Sequence, residues 1–563
     1  METNSFDAIV VGTGISGGWA AKELTEKGLK TLVLDRGRMV KHGEYPTAHT
    51  DPWDLPHGNR ITQETRRRKP VQSRTGYPTP ANTHWFVDDL DNPYIEANDH
   101  KFDWLRGYHV GGRSLMWARQ SYRLSPLDFE SNAKEGVGIP WPVGYDEIAP
   151  WYDKVETFAG ISGSIENLPQ LPDGKYLPPF DLNCVEVEFQ QRLAEKMKRK
   201  LIIGRCANLT APLTHAESPQ RGTCQARNLC IRGCPYGAYF SSVSATLPSA
   251  ERTGNMTLKP DQIVYEVIHD NDKGKATGVR VIDANTGKQT DYFAKVIFLC
   301  ASSLGSAYIL LNSVSSRFPN GLGNDSGELG HNIMDHNKPG NSSASVEGHL
   351  DVAYTGRRPN GFYIPRYRNV GKDKRDYLRG FGYQGRAARS NYGRFNDTPL
   401  IGEELKKAAQ EPGPWNIGMT AFGEILPYHE NRMWLDRDKK DRHGLPMLVV
   451  DAIARENEIR MQKDMLADAA EMLESAGYKN VTVRSDSYNV GNSIHEMGTA
   501  RMGADPKKSV LNKFNQVHAC KNVFVTDGSF MVSSACQNPS LTYMAFTARA
   551  ANHAVEELQK GNL

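Results

Sequence analysis

Eight cysteines in 563 residues are too few for a disulfide framework, so the fold rests on hydrophobic cores and not on covalent staples. An excess of charge of one sign is also missing. The chain has 68 Lys plus Arg against 65 Asp plus Glu, a formal net charge of +3, which argues against a basic face of the size nucleic acid needs. The run "RRRKP" at residues 66–70 is the one local exception and reads as a solvated loop. Long apolar runs are absent. The most apolar stretch, "VIFLCASSLGSAYILL" from Val296, is interrupted by Ser and Gly, and it falls short of the roughly 20 residues of a membrane span, so no spanning helix is expected. The N-terminal "METNSFDAIVVGTG" enters a strand with neither a charged n-region nor an apolar h-region, and is read as carrying no export signal of its own. No internal repeat or low-complexity tract is found. The length exceeds one ordinary core and predicts two closely joined domains.

What is present begins at the N-terminus. "FDAIVVGTGISGGWAAKELTEKGLKTLVLDRG" reads as a strand over 8–11, a glycine turn, a helix over about 16–27 and a strand over 31–34 that ends in Asp35. Gly12, Gly14 and Gly17 satisfy G-x-G-x-x-G. In that pattern the first glycine makes a tight turn, the second lets a pyrophosphate approach the backbone and the third lets helix pack on strand. The free N–H groups of the helix N-terminus then face the phosphates. Asp35 sits where a carboxylate can accept both ribose hydroxyls, which disfavours a 2′-phosphate and leaves FAD or NAD.

Sequence distance separates those two. Residues 295–313 read as strand, small-residue turn and helix, and "NVFVTDGSF" at 522–530 with the segment after it reads as strand, acid and final helix. Segments returning from the far end of the chain to one nucleotide site suit a flavin domain better than a compact nicotinamide domain. "RGYHVGGRSLMWARQSYRLSPLDF" (106–129), "ELGHNIMDH" (328–336), "IHEMGTARMG" (494–503) and "VTDGSFMVSSACQNPSLT" near the C-terminus resemble the glucose-methanol-choline (GMC) oxidoreductases. The resemblance runs from residue 6 to about 555 and thins over 41–100, a polar stretch read as a long loop or lid.

It implies an α/β (α+β) fold with a discontinuous Rossmann-like FAD-binding domain and a substrate domain of antiparallel sheet backed by helices. The FAD-binding parts are 1–135, 206–336 and 491–563, with a helical substrate-domain segment at 136–205 and the substrate-binding domain at 337–490. A period-two strand candidate at 447–454 and an amphipathic helix over 457–477 agree with the latter. The resemblance further implies cofactor contacts at Arg36, Gly111, Gly112, Ser114, Ala301, Asp527, Gly528, Asn538 and Thr542, beside the glycines and Asp35. In pyranose oxidases a histidine bonds covalently to the flavin where Met116 stands, so FAD here is expected to be non-covalent.

The family pattern places His495 and Asn538 over the flavin ring. An alcohol yields hydride only as its hydroxyl proton is removed, and neutral imidazole has a suitable pKa for that base. Asn538 can hold the same oxygen without competing for the proton, and before Pro539 it also reads as an ordinary helix N-cap with Pro at N1.

"CQARNLCIRGCPYGA" crowds Cys224, Cys230 and Cys234 before Pro235. Against the ferredoxin run C-x2-C-x2-C-x3-C-P, three cysteines and the proline match and Arg227 takes the remaining cysteine position. Three local thiolates suit a [3Fe-4S] cluster. The rivals are a [4Fe-4S] cluster completed by Cys206 or Cys184, a zinc site, or unligated thiols. Arg221, Arg227 and Arg232 would offset a negative cluster, or are simply solvated.

Such an insertion resembles the catalytic subunits of bacterial GMC sugar dehydrogenases, and "SLMW", "RGCPYGAYFSS" and "HEMGTARMG" look most like the glucoside 3-dehydrogenases. That implies oxidation of C3 of a sugar or glycoside to a 3-keto sugar, with electrons leaving through the cluster to a cytochrome c. It also implies a small companion subunit carrying the export signal and hence a periplasmic home, with a cytoplasmic one as the alternative. Glucose, fructose or gluconate dehydrogenase subunits, an alcohol oxidase with structural zinc, and a non-catalytic electron carrier remain as other readings.

Overall fold

A computed structural model describes residues 4–213, 221–352, 354, 360–390, 392–395, 398–485 and 488–563. Its first sheet has eight strands drawn from distant parts of the chain. Gln516–Val517, Cys520–Val525, Gln289–Leu299, Ser5–Val11, Thr31–Leu34 and Met256–Lys259 follow in that order, and the hairpin of Gln262–Asp270 and Lys275–Asp283 joins on Gln289–Leu299. The centre is parallel, with Val10 opposite both Val33 and Phe298, and Leu299 opposite Val525. Residues 8–11 and 31–34 are buried throughout, the continuous apolar pattern of strands covered on both faces. Helix Ile15–Glu26 is the crossover after the first strand and packs against Ser540–Gln559.

The second sheet has seven strands and is antiparallel. Its order is Lys479–Ser485, Gly340–Val346, Trp415–Glu424, Gly382–Arg389, Phe362–Ile364 and Ile202–Ile203, with His336–Asn337 pairing on Trp415–Glu424. Along Trp415–Glu424 burial alternates, so Trp415, Ile417, Met419 and Ala421 face one way and Asn416, Gly418, Thr420 and Phe422 the other. The buried face meets Met461, Met465 and Met472 of helix Glu456–Ser475.

Three details depart from the sequence-based expectations. The strand expected at 447–454 runs Pro446–Asp451, but it pairs with Arg432–Lys440 and Ile95–Glu96 in a separate three-stranded sheet. The 41–100 stretch contains the short helices Gln63–Arg68 and Pro70–Arg74 and buries Trp85 and Gln72. The basic run is helical up to Arg68 and not a loop; Arg66 and Arg67 are exposed, but Arg68 pairs with Asp88 and Asp91, and Lys69 donates to the carbonyls of Thr83 and Phe86 at 2.8 and 2.7 Å. Among the described residues, no helix is long and apolar enough to cross a membrane.

Candidate active site

The glycine turn is built by close backbone approach. A Cβ on Gly12, whose φ is +96°, would lie 2.4 Å from the Cys300 carbonyl oxygen, and one on Gly17 would lie 1.9 Å from that of Gly12. Gly14 faces open space instead. That space is a cavity of about 470 Å³, also lined by Asp35, Arg36, Gly112, Ser114, Ala301, Asp527, Gly528, His495 and Asn538. Thus one cavity joins the glycine turn to both proposed reacting residues.

Asp35 has a second task beyond the expected ribose contact. Its Oδ2 accepts from the N–H (3.1 Å) and hydroxyl of Thr13, and its Oδ1 from the N–H of Gly37 (2.9 Å), so the carboxylate braces the turn. Burial pushes its pKa up to about 6, against those hydrogen bonds. Arg36 lies over the ring of Tyr108, 3.9 Å from its centroid. Gly111 and Gly17 act from behind the cavity wall: Gly111 donates to Thr13 Oγ1 at 2.8 Å, and Gly17 serves helix packing. Thr542 does not reach the cavity; its hydroxyl bonds to that of Tyr152 at 2.7 Å.

At the other end, His495 follows Ile494, a β-branched residue at φ +66°. Strain of that kind persists only where surrounding contacts impose it. Here the contacts converge on buried Asp335. Its Oδ1 accepts from the N–H groups of His336 (2.8 Å) and His495 (3.1 Å), and its Oδ2 from the Tyr488 hydroxyl and the N–H groups of Gly491 and Ser493. The imidazoles of His495 and His336 meet through their Nδ1 atoms at 2.8 Å. Burial first, then the neighbouring His336, Arg113 and Lys338, hold His495 well below the usual histidine range. Burial brings His336 down to about 4. Both rings are therefore neutral at physiological pH.

Asn538 is not a helix cap. The final helix begins at Ser540 after Pro539, and the Asn538 Oδ1 accepts from Gln384 Nε2 at 2.6 Å. That bond leaves its Nδ2 to donate. Arg113 and Glu496 form an ion pair at 2.7 Å in the cavity wall. Glu496 Oε1 and the Tyr543 hydroxyl are buried there without a partner among the described residues, and with the open face of Gly14 they fit a polar, phosphate-bearing cofactor such as FAD.

Cys224, Cys230 and Cys234 line a second, smaller cavity of about 30 Å³. No three His, Cys, Asp or Glu side chains among the described residues are grouped to hold a metal ion, so the thiols share a cavity without forming a metal-ion site. Cys206 is close enough for the charges of Cys224 and Cys230 to act on it, and burial pushes its thiol up to about 12. Cys184 begins a helix beside Tyr354 and lines neither cavity. Arg221 and Arg232 are buried and Arg227 is half-buried, and all three are engaged: Arg221 donates to the carbonyls of Gly237 and Ala159, Arg227 to that of Ala48, and Arg232 to that of Thr50 at 2.6 Å. The loop touches the large cavity through Ile231, and Tyr45 packs on Gly233 and on Trp85, which lines that cavity.

His336, Gln384, Arg113 and Asp335 were not singled out from sequence. His336 ends the "ELGHNIMDH" motif, but its pairing with His495 spans 159 positions and has no local signature.

One cavity that joins the glycine turn to a histidine and an amide, with Gln384 and Phe422 of the second sheet in its wall, fits a flavin-type oxidoreductase. The chain belongs to the GMC oxidoreductase family, whose N-terminal model matches residues 6–338 and whose C-terminal model matches 427–547. It is therefore an FAD-type oxidoreductase acting on CH–OH groups. It is 27% identical to the fructose dehydrogenase large subunit of Gluconobacter japonicus, over 100% of this chain and 99% of that one. It is also 27% identical to the 2-methyl-1,2-propanediol dehydrogenase of Mycolicibacterium austroafricanum, over 97% and 94%. The gluconate 2-dehydrogenase flavoprotein of Pantoea cypripedii is 25% identical over 99% and 95%. A formate oxidase structure superposes with a TM-score of 0.62 at 14% identity, covering 100% of both chains, which shows the shared fold.

Proposed function

We propose that the chain is a dehydrogenase of sugars or glycosides that passes electrons to an acceptor other than oxygen. The observation that carries this reading is the single cavity holding the glycine turn at one end and His495 with Asn538 at the other. Neutral His495 takes the proton of the substrate hydroxyl at Nε2. Asn538, its Oδ1 occupied by Gln384, donates from Nδ2 to the same substrate oxygen. FAD, when bound along the glycine turn, Asp35 and Asp527, supplies the acceptor for the two electrons and hydrogen of the carbon–hydrogen bond.

Cys224, Cys230 and Cys234 would hold an iron-sulfur cluster, [3Fe-4S], able to release electrons singly to a cytochrome c. A polynuclear cluster needs thiolates spread around it, whereas zinc needs them gathered on one point. What supports the cluster here is that the three thiols line one small cavity. The similarity to a large subunit of fructose dehydrogenase supports a companion subunit, and with it export to the periplasm. The finer assignment is C3 of a glucoside as the oxidised carbon, carried by the motifs of residues 114–117, 232–242 and 495–503.

The test is anaerobic bleaching of the bound flavin by a panel of glucosides, fructose, gluconate and simple diols, followed by product NMR. A 3-keto glucoside is the expected product. Bleaching by simple diols alone would replace the sugar reading with that of an alcohol dehydrogenase.

A further inference from the structure

The base assigned to His495 is defined only once its tautomer is. Two neutral imidazoles meeting Nδ1 to Nδ1 at 2.8 Å share one proton, so one ring donates and the other accepts. If His336 donated, its Nε2 would be bare and His495 would carry its proton on Nε2, toward the cavity, and could not act as a base. The surroundings of His336 decide between the two. Its Nε2 is buried and has no hydrogen-bond partner among the described residues, and the neighbouring backbone of Ser534 and Ala535 favours the protonated ring. Carbonyl oxygens repel a bare ring nitrogen and attract an N–H. The proton of His336 therefore belongs on Nε2, its Nδ1 accepts, and His495 donates from Nδ1 with Nε2 bare.

We propose that His336 is a positioning residue that holds His495 in the tautomer with a bare Nε2 and takes over its Nδ1 proton as the substrate proton arrives. The proposal rests on the reading of His495 as the base. The exchange balances: the substrate O–H bond breaks and an Nε2–H bond forms on His495. The Nδ1 proton of His495 passes to Nδ1 of His336. The hydrogen of the carbon–hydrogen bond leaves with its electron pair for the bound flavin, and the electron pair of the broken O–H bond becomes the second bond of the carbonyl. His336 ends as the cation, beside the backbone of Ser534 and Ala535. Asp335 lies beside both rings, holding their backbone N–H groups, while Ser493 donates to the His336 carbonyl. Arg113 and Lys338 face His495 and resist a cation there, which favours passing the charge on.

The experiment compares His336→Leu, His336→Asn and His495→Ala as holoenzymes of equal FAD content. Histidine-selective 15N NMR reads the tautomer, and anaerobic stopped-flow reads flavin reduction by substrate. In the wild type, His495 is expected to show a protonated Nδ1 and a bare Nε2. His336→Leu removes the acceptor, so His495 should shift toward the other tautomer and reduction should slow about a hundredfold, in the range of a lost proton-transfer partner. Asn at 336 offers a carbonyl acceptor but cannot take a proton; it should keep the tautomer and slow reduction only about tenfold. A His336→Leu enzyme with unchanged tautomer and wild-type reduction, alongside an impaired His495→Ala, would overturn this inference alone. An unimpaired His495→Ala would overturn the base assignment and this inference with it.

Discussion

The glycine turn at residues 12–17 and the cysteine loop at 224–235 both border the large cavity, and they are held in opposite ways. In the turn, backbone meets backbone: Gly12 sits against the Cys300 carbonyl and Gly17 against Gly12, with Asp35 tying Thr13 and Gly37 together. Those contacts follow from the order of parallel strands. The cysteine loop has one three-residue helical turn, Cys230–Arg232, and places Ala226 and Asn228 at φ +52° and +56°. It is tied to the rest of the fold mainly by its own side chains, Arg227 and Arg232 donating to carbonyls of residues 48–50, with the Tyr45 ring against Gly233 and one backbone bond from Cys224 to the Leu209 carbonyl. The turn is part of the fold, whereas the loop hangs from it. A left-handed alanine costs about 1 kcal/mol, which a bound cluster drawing on the flanking thiolates would offset.

If this contrast is right, the largest effect comes from crowding the turn. Gly17→Val puts a branched side chain where even a Cβ would lie 1.9 Å from a backbone oxygen, so strand and helix must part. Overpacking of this kind costs about 1–3 kcal/mol, and the displaced helix N-terminus no longer faces the phosphates. The purified variant should lack flavin absorbance and melt at a lower temperature. A variant carrying FAD at the wild-type ratio would show that the turn tolerates displacement and that the contrast is overstated.

Serine at Cys230 probes the other side. Because the loop hangs from carbonyls and an aromatic ring, losing one thiol should leave the fold and the large cavity intact. Anaerobic reduction of FAD by substrate should stay close to wild type, while turnover with an obligate one-electron acceptor such as cytochrome c should collapse, together with visible absorbance beyond the flavin bands. Equal loss in both half-reactions, with loss of folded protein, would make the loop structural.

The legibility of the sequence follows the same division. The strand, turn, helix and strand at residues 5–34 were readable because every residue type there answers to a local geometric demand. His495, Asn538 and the three cysteines were readable as members of motifs. Their partners were not: Gln384 reaches Asn538 across 154 positions and His336 reaches His495 across 159, and such pairings are decided by sheet register, which no local window contains. The N-cap reading of Asn538 failed for a related reason. Gln384, on a strand of the second sheet, competes for the oxygen a cap would use, and the helix starts at Ser540. The strand at Pro446–Asp451 was visible, but its sheet was not, because its neighbour Ile95–Glu96 is two residues long and lies in a polar stretch.

The smallest effect concerns the cost of the turn's own brace. Asp35 is 7% exposed, and burial raises its pKa from 3.8 to about 6 despite the donors of Thr13 and Gly37. The fold thus tolerates the neutral acid better than the carboxylate. A raised folded pKa gives a contribution that is fully present below the unfolded value near 4 and is lost as pH rises through about 6. Two units correspond to about 3 kcal/mol at most. Asp35→Asn has no such titration. It keeps an oxygen for one donor and presents an NH₂ to the other, so it should be less stable at pH 4.5, where wild-type Asp35 is neutral and best tolerated. Between pH 4.5 and 7 its stability should change less steeply than that of the wild type, as read from urea unfolding of the two FAD-free proteins. Parallel pH profiles would mean that Asp35 does not titrate in this window. The turn's brace would then be an ionised carboxylate held by the donors of Thr13 and Gly37.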